Sequence, residues 1–377
     1  MPYLLYSIFL LLSLGHIGRI SLFDQEVNLY LHEVVMAPTL FYLMKKIGFS
    51  LFTRPKPHEK AFYIFILVLF VSLISEFWKF SMFENTVGFL YLIRLFMYGL
   101  FFLYLLSWVT LKKDHGTVIK KGVQLFMVLT IIFSIAQYFL YPELTNLAYL
   151  GWDKHVARLF GLFFDTTASG IILALLFFYS LERGGRYRWF MGSVLLILLL
   201  LTYSRISYVA FTIAFFYSFA KKLRAKTVLL YILIAFVFIM LLPRVQGEST
   251  RLERLFTIQA RLINQQEGLV LWLKRPFLGH GYDRLRYVRR LQGFDHSAAA
   301  FSSSFVTLLA ASGIIGFGTF LYFMKKLYDL LPHLGKTALF VILIASLFDN
   351  IILHNLTLMV FIMVCAASIS QISGRRP

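Results

Sequence analysis

Long apolar runs recur along the whole 377-residue sequence, and they constrain the fold more than any other feature. Runs of roughly 18 or more apolar residues are typical of membrane-spanning helices. The composition agrees, because 59% of the residues are hydrophobic and only 15% are charged. In a soluble domain about a quarter of the residues are charged. We therefore predict an all-α polytopic membrane protein.

About twelve membrane spans are expected, within a single integral membrane domain of residues 1–377. The expected spans are 3–20, 27–44, 61–77, 88–111, 122–141, 168–182, 189–204, 206–220, 227–243, 302–324, 337–353 and 355–372. Alternate connections carry clusters of lysine and arginine, which the positive-inside rule puts in the cytoplasm together with both termini. These clusters contain 21 of the 37 basic residues, so the formal net charge of +19 does not require a nucleic-acid partner.

One large external loop, residues 244–301, is predicted between the ninth and tenth spans. It has ten basic and five acidic residues, which give it a net charge of +5. Long external loops follow the charge rule only weakly, so solvated arginines there need no further explanation. The alternative is that the arginines bind an anion on the outer face, because a planar guanidinium pairs bidentately with phosphate groups. The expected anion is a lipid-linked diphosphate.

An amphipathic helix is predicted in this loop, because apolar residues recur there at i, i+3 and i+4 spacing. These residues are Leu252, Leu255, Phe256, Ile258 and Leu262. Such a helix would lie flat on the outer membrane surface, either as a lid over a lipid substrate or as an anchor without chemistry. Pro276 is expected to end the helix, and Gly279 and Gly281 permit a tight turn after it.

Two further polar residues near the outer surface have alternative readings. Asp165 precedes the sixth span, where it is expected either to cap the following helix or to accept a proton. His296 lies between the basic loop and the tenth span, and it is either an ordinary surface histidine or a participant in the chemistry. The residues by themselves leave both alternatives open.

Four segments occur in a characteristic order between residues 155 and 325, and together they resemble the bacterial O-antigen polymerase/ligase superfamily. The segments are ARLFGLFFDTTASG, LLLLTYSRISYVAF, ARLINQQEGLVLWLKRPFLGHGYDRL and SSSFVTLLAASGIIGFG. The first two are similar to the Arg-x-x-Gly plus Asp-Pro-Asn segment and the Thr-x-Ser-Arg-Ser hairpin of that superfamily. In the first, Thr166 and Thr167 replace Pro-Asn, and in the second Ile206 precedes Ser207.

The third segment is similar to the pattern of an arginine, a tryptophan four residues later, and Pro-Leu-x-Gly-x-Gly. Arg261 falls on that arginine and Gln265 replaces the tryptophan, whereas Arg275 and the proline and glycines follow the pattern. The fourth segment is similar to the span that carries His-Asn-x9-Gly. Counting back from Gly313 reaches Ser302 where the ligase branch has its histidine, and this departure favours the polymerase branch.

The resemblance implies a C-type glycosyltransferase (GT-C)-like membrane fold on the bacterial inner membrane, with the active site on the periplasmic face. The donor and acceptor would be glycans on undecaprenyl diphosphate, and a chain-length regulator is a further partner that this branch implies. We find no Gly-rich phosphate loop, Asp-x-Asp motif or metal-ligand cluster in the sequence, so no metal and no cofactor is expected.

The site residues follow from this resemblance together with the arginine argument. Arg205 and Arg261 are expected to hold the diphosphate and stabilise its charge as it leaves. Asp165 or His296 would take the acceptor proton. The additional diphosphate-binding candidates are Arg158, Arg251, Arg254 and Arg275. Two other functions stay open, an O-antigen ligase that transfers polymer to lipid A core and a flippase or transporter of lipid-linked oligosaccharides.

Overall fold

The computed structural model describes residues 1–183, 185–219, 255–289 and 299–373, and these residues are mainly helical. Their helices are α1 (Pro2–Ser13), α2 (Leu31–Ile47), α3 (Ser50–Thr53), α4 (Pro57–Ser75), α5 (Met82–Leu111), α6 (Lys113–Leu140), α7 (Thr166–Arg183), α8 (Arg188–Leu201), α9 (Arg205–Phe219), α10 (Leu255–Lys274), α11 (Leu285–Arg289), α12 (Ser304–Leu330), α13 (His333–Ser346) and α14 (Asn355–Ser373).

Within the described residues, four helices are long and apolar enough to cross a membrane: α4, α5, α6 and α12. Six shorter apolar helices accompany them, namely α1, α7, α8, α9, α13 and α14. This composition supports a membrane-embedded helical protein. The count of twelve spans stays a prediction, and the expected span at 227–243 lies outside the described residues.

A small β-hairpin replaces the adjoining ends of the first two expected spans, where the sequence prediction was wrong. Strand β1 (Arg19–Leu22) pairs antiparallel with β2 (Val27–Tyr30), and α1 has already ended at Ser13. The chain becomes helical again at Leu31, where the Glu33 carboxylate accepts a hydrogen bond from the Tyr30 N–H at 3.0 Å. This local cap marks the start of α2, which continuous hydrophobicity does not reveal.

The eleventh expected span is also shorter than predicted. Helix α13 ends at Ser346, and residues 347–354 form an irregular loop before α14 begins at Asn355. Asp349 therefore belongs to a loop rather than to a span. This loop, called here the 347–354 loop, separates the two cavities described below.

Helices α7 and α14 form the centre of the bundle. Their side chains are buried on almost every face, from Ala168 to Tyr179 in α7 and from Met359 to Ile369 in α14. Other helices have large apolar side chains that are exposed on the outer surface of the bundle, for example Leu67 in α4 and Ile132 in α6. A helix that is apolar all round is typical of a buried position, so the sequence of α7 suits its place.

The segment 276–281, Pro-Phe-Leu-Gly-His-Gly, docks against a break in α12. Gly313 interrupts that helix with φ of 64° and ψ of −172°, and the Pro276 carbonyl accepts a hydrogen bond from the Ile314 N–H at 2.8 Å. A Cβ atom on Gly313 would lie 2.2 Å from the Phe277 carbonyl oxygen, and one on Gly279 would lie 2.5 Å from the backbone of α12. These glycines are required because two backbones approach each other without room for side chains.

Candidate functional site

A cavity of about 540 Å³ collects four of the residues that the sequence analysis singled out. Arg158, Asp165, Arg205 and Arg261 all line it, and we call it the arginine cavity. Its wall consists of the segment before α7, the α8–α9 connection, one side of α10 and the start of the 347–354 loop. The other lining residues are Asp153, Lys154, His155, Thr166, Thr167, Tyr203, Ser204, Ile206, Val209, Ile258, Leu262, Gln265 and Phe348.

Arg205 reaches the cavity because α8 and α9 form a tight hairpin, as the sequence predicts. Tyr203 has φ of 50°, which turns the chain, and Arg205 is the first residue of α9. The Thr202 hydroxyl donates to the Leu199 carbonyl at 2.7 Å, and the Ser204 hydroxyl accepts from the Ser207 N–H at 3.3 Å. Serine and threonine thus satisfy the ends of both helices, which is their usual role at caps.

Arg205 lies close enough to Arg261 for the two positive charges to interact. Burial lowers the pKa of Arg205 below its ordinary value, and the charge of Arg261 lowers that pKa further. Two guanidinium groups that repel each other across a cavity bind a dianion more readily than either does alone. The lining as a whole has four basic residues, counting Lys154, and two carboxylates.

Arg158 holds the hairpin in place rather than projecting freely into the cavity. Its guanidinium is buried and donates to the Thr202 and Tyr203 carbonyl oxygens, each at 3.0 Å, and to the Thr166 hydroxyl at 2.9 Å. These three bonds connect the C-terminus of α8 with the start of α7. Arg158 is therefore a positioning residue for the segment that carries Arg205.

Asp165 caps α7. One carboxylate oxygen accepts hydrogen bonds from the Thr167 N–H at 2.5 Å and the Ala168 N–H at 2.9 Å. The capping alternative from the sequence is thus observed. Because the carboxylate also lines the arginine cavity, its role as proton acceptor stays a prediction alongside the cap.

Arg261 is held by a residue that the sequence analysis did not select. Its Nη1 atom lies 3.0 Å from the Asp349 Oδ2 atom and donates to the Phe348 carbonyl at 2.6 Å. Gln265, one turn further along α10, donates to the Ser302 carbonyl at 2.8 Å. These contacts fix α10 against the 347–354 loop and the start of α12, so that Arg261 is presented to the cavity.

The cavity has a charged part and an apolar part. Ile206 and Val209 from α9, together with Ile258 and Leu262 from α10, line its apolar side. Ile258 is 43% exposed and Leu262 is 54% exposed, so this side is continuous with the apolar outer surface. A space with cations at one end and an apolar outlet at the other suits an amphiphile with an anionic head group. The orientation of α10 relative to a membrane stays a prediction.

Of the other predicted site residues, the structure describes Arg275 alone. Arg275 forms an ion pair with the Glu76 carboxylate at the end of α4, and it does not line the arginine cavity. The same carboxylate also pairs with Lys79, whose Nζ atom lies 3.3 Å from it, and the role of Arg275 in diphosphate binding stays a prediction. Arg251, Arg254 and His296 lie outside the described residues, and their roles stay predictions.

Asp349 is the important residue that sequence reasoning missed. It lies near the end of the apolar run that we assigned to the span at 337–353. A signal was present, because a carboxylate at membrane depth is costly and normally has a cationic partner. The sequence did not indicate which of many arginines that partner was, since Arg261 lies 88 residues away along the chain.

Comparison with family models gives a match over part of the chain. Residues 190–321, about a third of the chain, match the model of the family described as O-antigen ligase. The matched region includes Arg205, Arg261 and the glycine motif. It supports the similarity to the O-antigen polymerase/ligase superfamily, whose work is surface polysaccharide biosynthesis. No curated protein matches the chain.

Proposed function

We propose that this protein is a surface polysaccharide polymerase, which joins repeat units carried on undecaprenyl diphosphate at the outer face of the inner membrane. The observation that carries the proposal is the arginine cavity, in which Arg205 and Arg261 flank a space with an apolar outlet. The diphosphate would lie between the two guanidinium groups. The prenyl chain would leave along Ile206, Val209, Ile258 and Leu262.

In the proposed reaction, a sugar hydroxyl of the acceptor repeat unit attacks the anomeric carbon of the donor glycan. A new carbon–oxygen bond forms there while the bond to the diphosphate breaks, and its electron pair leaves with the diphosphate. Arg205 and Arg261 stabilise this growing charge, which lowers the barrier because the interaction is stronger in the transition state than before it. The hydroxyl proton passes to Asp165 or His296.

The ligase alternative is favoured by the description of the matched family. Against it, Ser302 occupies the position of the ligase histidine. Ser302 is close to the arginine cavity, because its carbonyl accepts from Gln265 and its N–H donates to the Asn264 side chain at 2.6 Å. A serine hydroxyl at this position has no basic nitrogen with which to take a proton.

The test uses purified protein in detergent with lipid-linked repeat units. A polymerase lengthens the glycan without a membrane gradient, a ligase requires lipid A core as acceptor, and a flippase leaves the glycan unchanged. Arg205→Ala and Arg261→Ala should each abolish elongation, and Arg→Lys at either position should not restore it. Arg186→Ala is the matched control, since Arg186 is exposed at the opposite ends of α7 and α8. Full elongation by both cavity variants would refute the assignment.

A further inference from the structure

A second cavity, of about 180 Å³, lies on the other side of the 347–354 loop. It is bounded by α5, α12, strand β2 and the residues just before α11. Its polar lining is unusually rich in planar groups, which include Tyr91, Tyr282, Asp283, Asn350, His354 and Asn355. The amide and carboxylate side chains supply the hydrogen-bond donors and acceptors that a polyhydroxylated ligand needs, and the aromatic rings supply apolar contact area.

Several of these groups have hydrogen-bonding capacity left over. Within the described residues, no hydrogen bond reaches the Asp283 carboxylate, the Asn355 amide or the Tyr282 hydroxyl. Other lining groups are already used, since Arg94 pairs with Glu33 at 2.9 Å. Partly buried polar groups without a protein partner usually have water or a ligand as their partner. Burial also raises the pKa of Asp283 to about 7, against the opposing charges of Arg286 and Arg94, so this acid both accepts and donates near neutral pH.

The two cavities are neighbours across the 347–354 loop. Phe348 lines the arginine cavity and Asn350 lines the second one, and two residues of chain span at most roughly 7 Å. His354 provides independent evidence. Burial lowers its pKa, and the negative charges of Asp165 and Asp349 oppose that effect. The 347–354 loop is therefore a wall shared by the two cavities.

We propose that the second cavity is a saccharide subsite, which holds one sugar ring of a substrate glycan while the diphosphate occupies the arginine cavity. Asp283 and Asn355 hydrogen-bond to ring hydroxyls, and Tyr91 and Tyr282 enclose the ring. This inference rests on the proposed function, because it assigns the glycan part of the same substrates. The second cavity would then determine the specificity of the protein for the sugar.

The test compares two ligands on one set of variants. The first ligand is the repeat-unit oligosaccharide released by mild acid from the lipid-linked pool of the cells, with maltose as the unrelated control. The second ligand is farnesyl diphosphate, which has the diphosphate and a short prenyl chain but no sugar. Binding of each is measured by titration calorimetry on the full-length protein in detergent.

We expect Asp283→Asn and Asn355→Ala each to weaken oligosaccharide binding at least tenfold and to leave farnesyl diphosphate binding unchanged. Arg205→Ala should give the opposite pattern. If Asp283→Asn fails to fold, as judged by thermal unfolding, Asn355→Ala decides the outcome. The inference is overturned if wild-type protein does not bind the oligosaccharide, or binds it equally well after both substitutions. The elongation assay on wild-type protein tests the proposed function separately.

Discussion

Replacing Asp349 by asparagine tests whether this carboxylate positions Arg261 for catalysis. The substitution removes one negative charge and leaves the shape of the side chain and the bond from Arg261 to the Phe348 carbonyl in place. The Asp349 side chain is 22% exposed and that of Arg261 is 34% exposed, so the pair is only partly screened from water. A structural ion pair of this kind contributes less than a fully buried one.

The magnitude follows from the difference between two kinds of hydrogen bond. A bond to a charged group contributes about 1.5–3 kcal/mol and a neutral one about 0.5–1.5 kcal/mol, so the loss is about 1 kcal/mol for a partly exposed pair. If all of this loss appears in the transition state, kcat falls roughly fivefold. Affinity for the diphosphate should not fall, because a repelling negative charge has been removed from its neighbourhood.

The assay is glycan elongation by purified protein at several donor concentrations, so that kcat and KM are separated. The matched control is Glu267→Gln, on the helix that also carries Arg261. Glu267 pairs with Arg289 at 2.9 Å, and this pair lies outside both cavities. We expect the control to leave both constants unchanged. The positioning role of Asp349 would be refuted by an unchanged kcat, or by a rise in KM that alone accounts for lost activity.

Three further substitutions test other parts of the structure through thermal unfolding in detergent. Gly313→Ala should destabilise the protein strongly, because a residue with a side chain in this backbone conformation costs about 1–3 kcal/mol and because its Cβ atom would clash with the Phe277 backbone. Gly318→Ala in the same helix should have little effect, because the Cβ atom would lie in open space. Arg158→Ala leaves the Thr202 and Tyr203 carbonyl oxygens without their donor and should cost about 2–3 kcal/mol, and Arg158→Lys should not restore stability. The pKa of Asp283 rises from 3.8 to about 7 on folding, so the wild-type protein should lose stability as the pH rises through that range, and the advantage of Asp283→Asn should be larger at pH 8 than at pH 5. Equal differences at both pH values would contradict this reasoning.

The positions of the buried helices were largely predictable from the sequence, because the length and hydrophobicity of an apolar run depend only on neighbouring residues. The expected spans at 168–182, 189–204 and 206–220 correspond closely to α7, α8 and α9. The ends of helices were less predictable, since strand β2 and the 347–354 loop each contain apolar residues that extend a neighbouring apolar run, with only a few polar residues such as Asn28 and Asp349 between them. In those places the helix ends because of hydrogen bonds with distant or neighbouring residues, and the hydropathy of the sequence carries no information about these bonds.

The sequence by itself made Arg205 and Arg261 functional candidates, because the segments that carry them resemble known motifs and because a guanidinium group pairs well with a diphosphate. It also predicted a tight turn at Gly279 and Gly281. Only the tertiary structure decided which arginines face one cavity. Arg261 is held there by Asp349, whereas Arg275, fourteen residues later, pairs with Glu76 and does not line the cavity. The physical reason is that a charge acts through the groups a few ångströms from it, and folding brings those groups from remote parts of the chain.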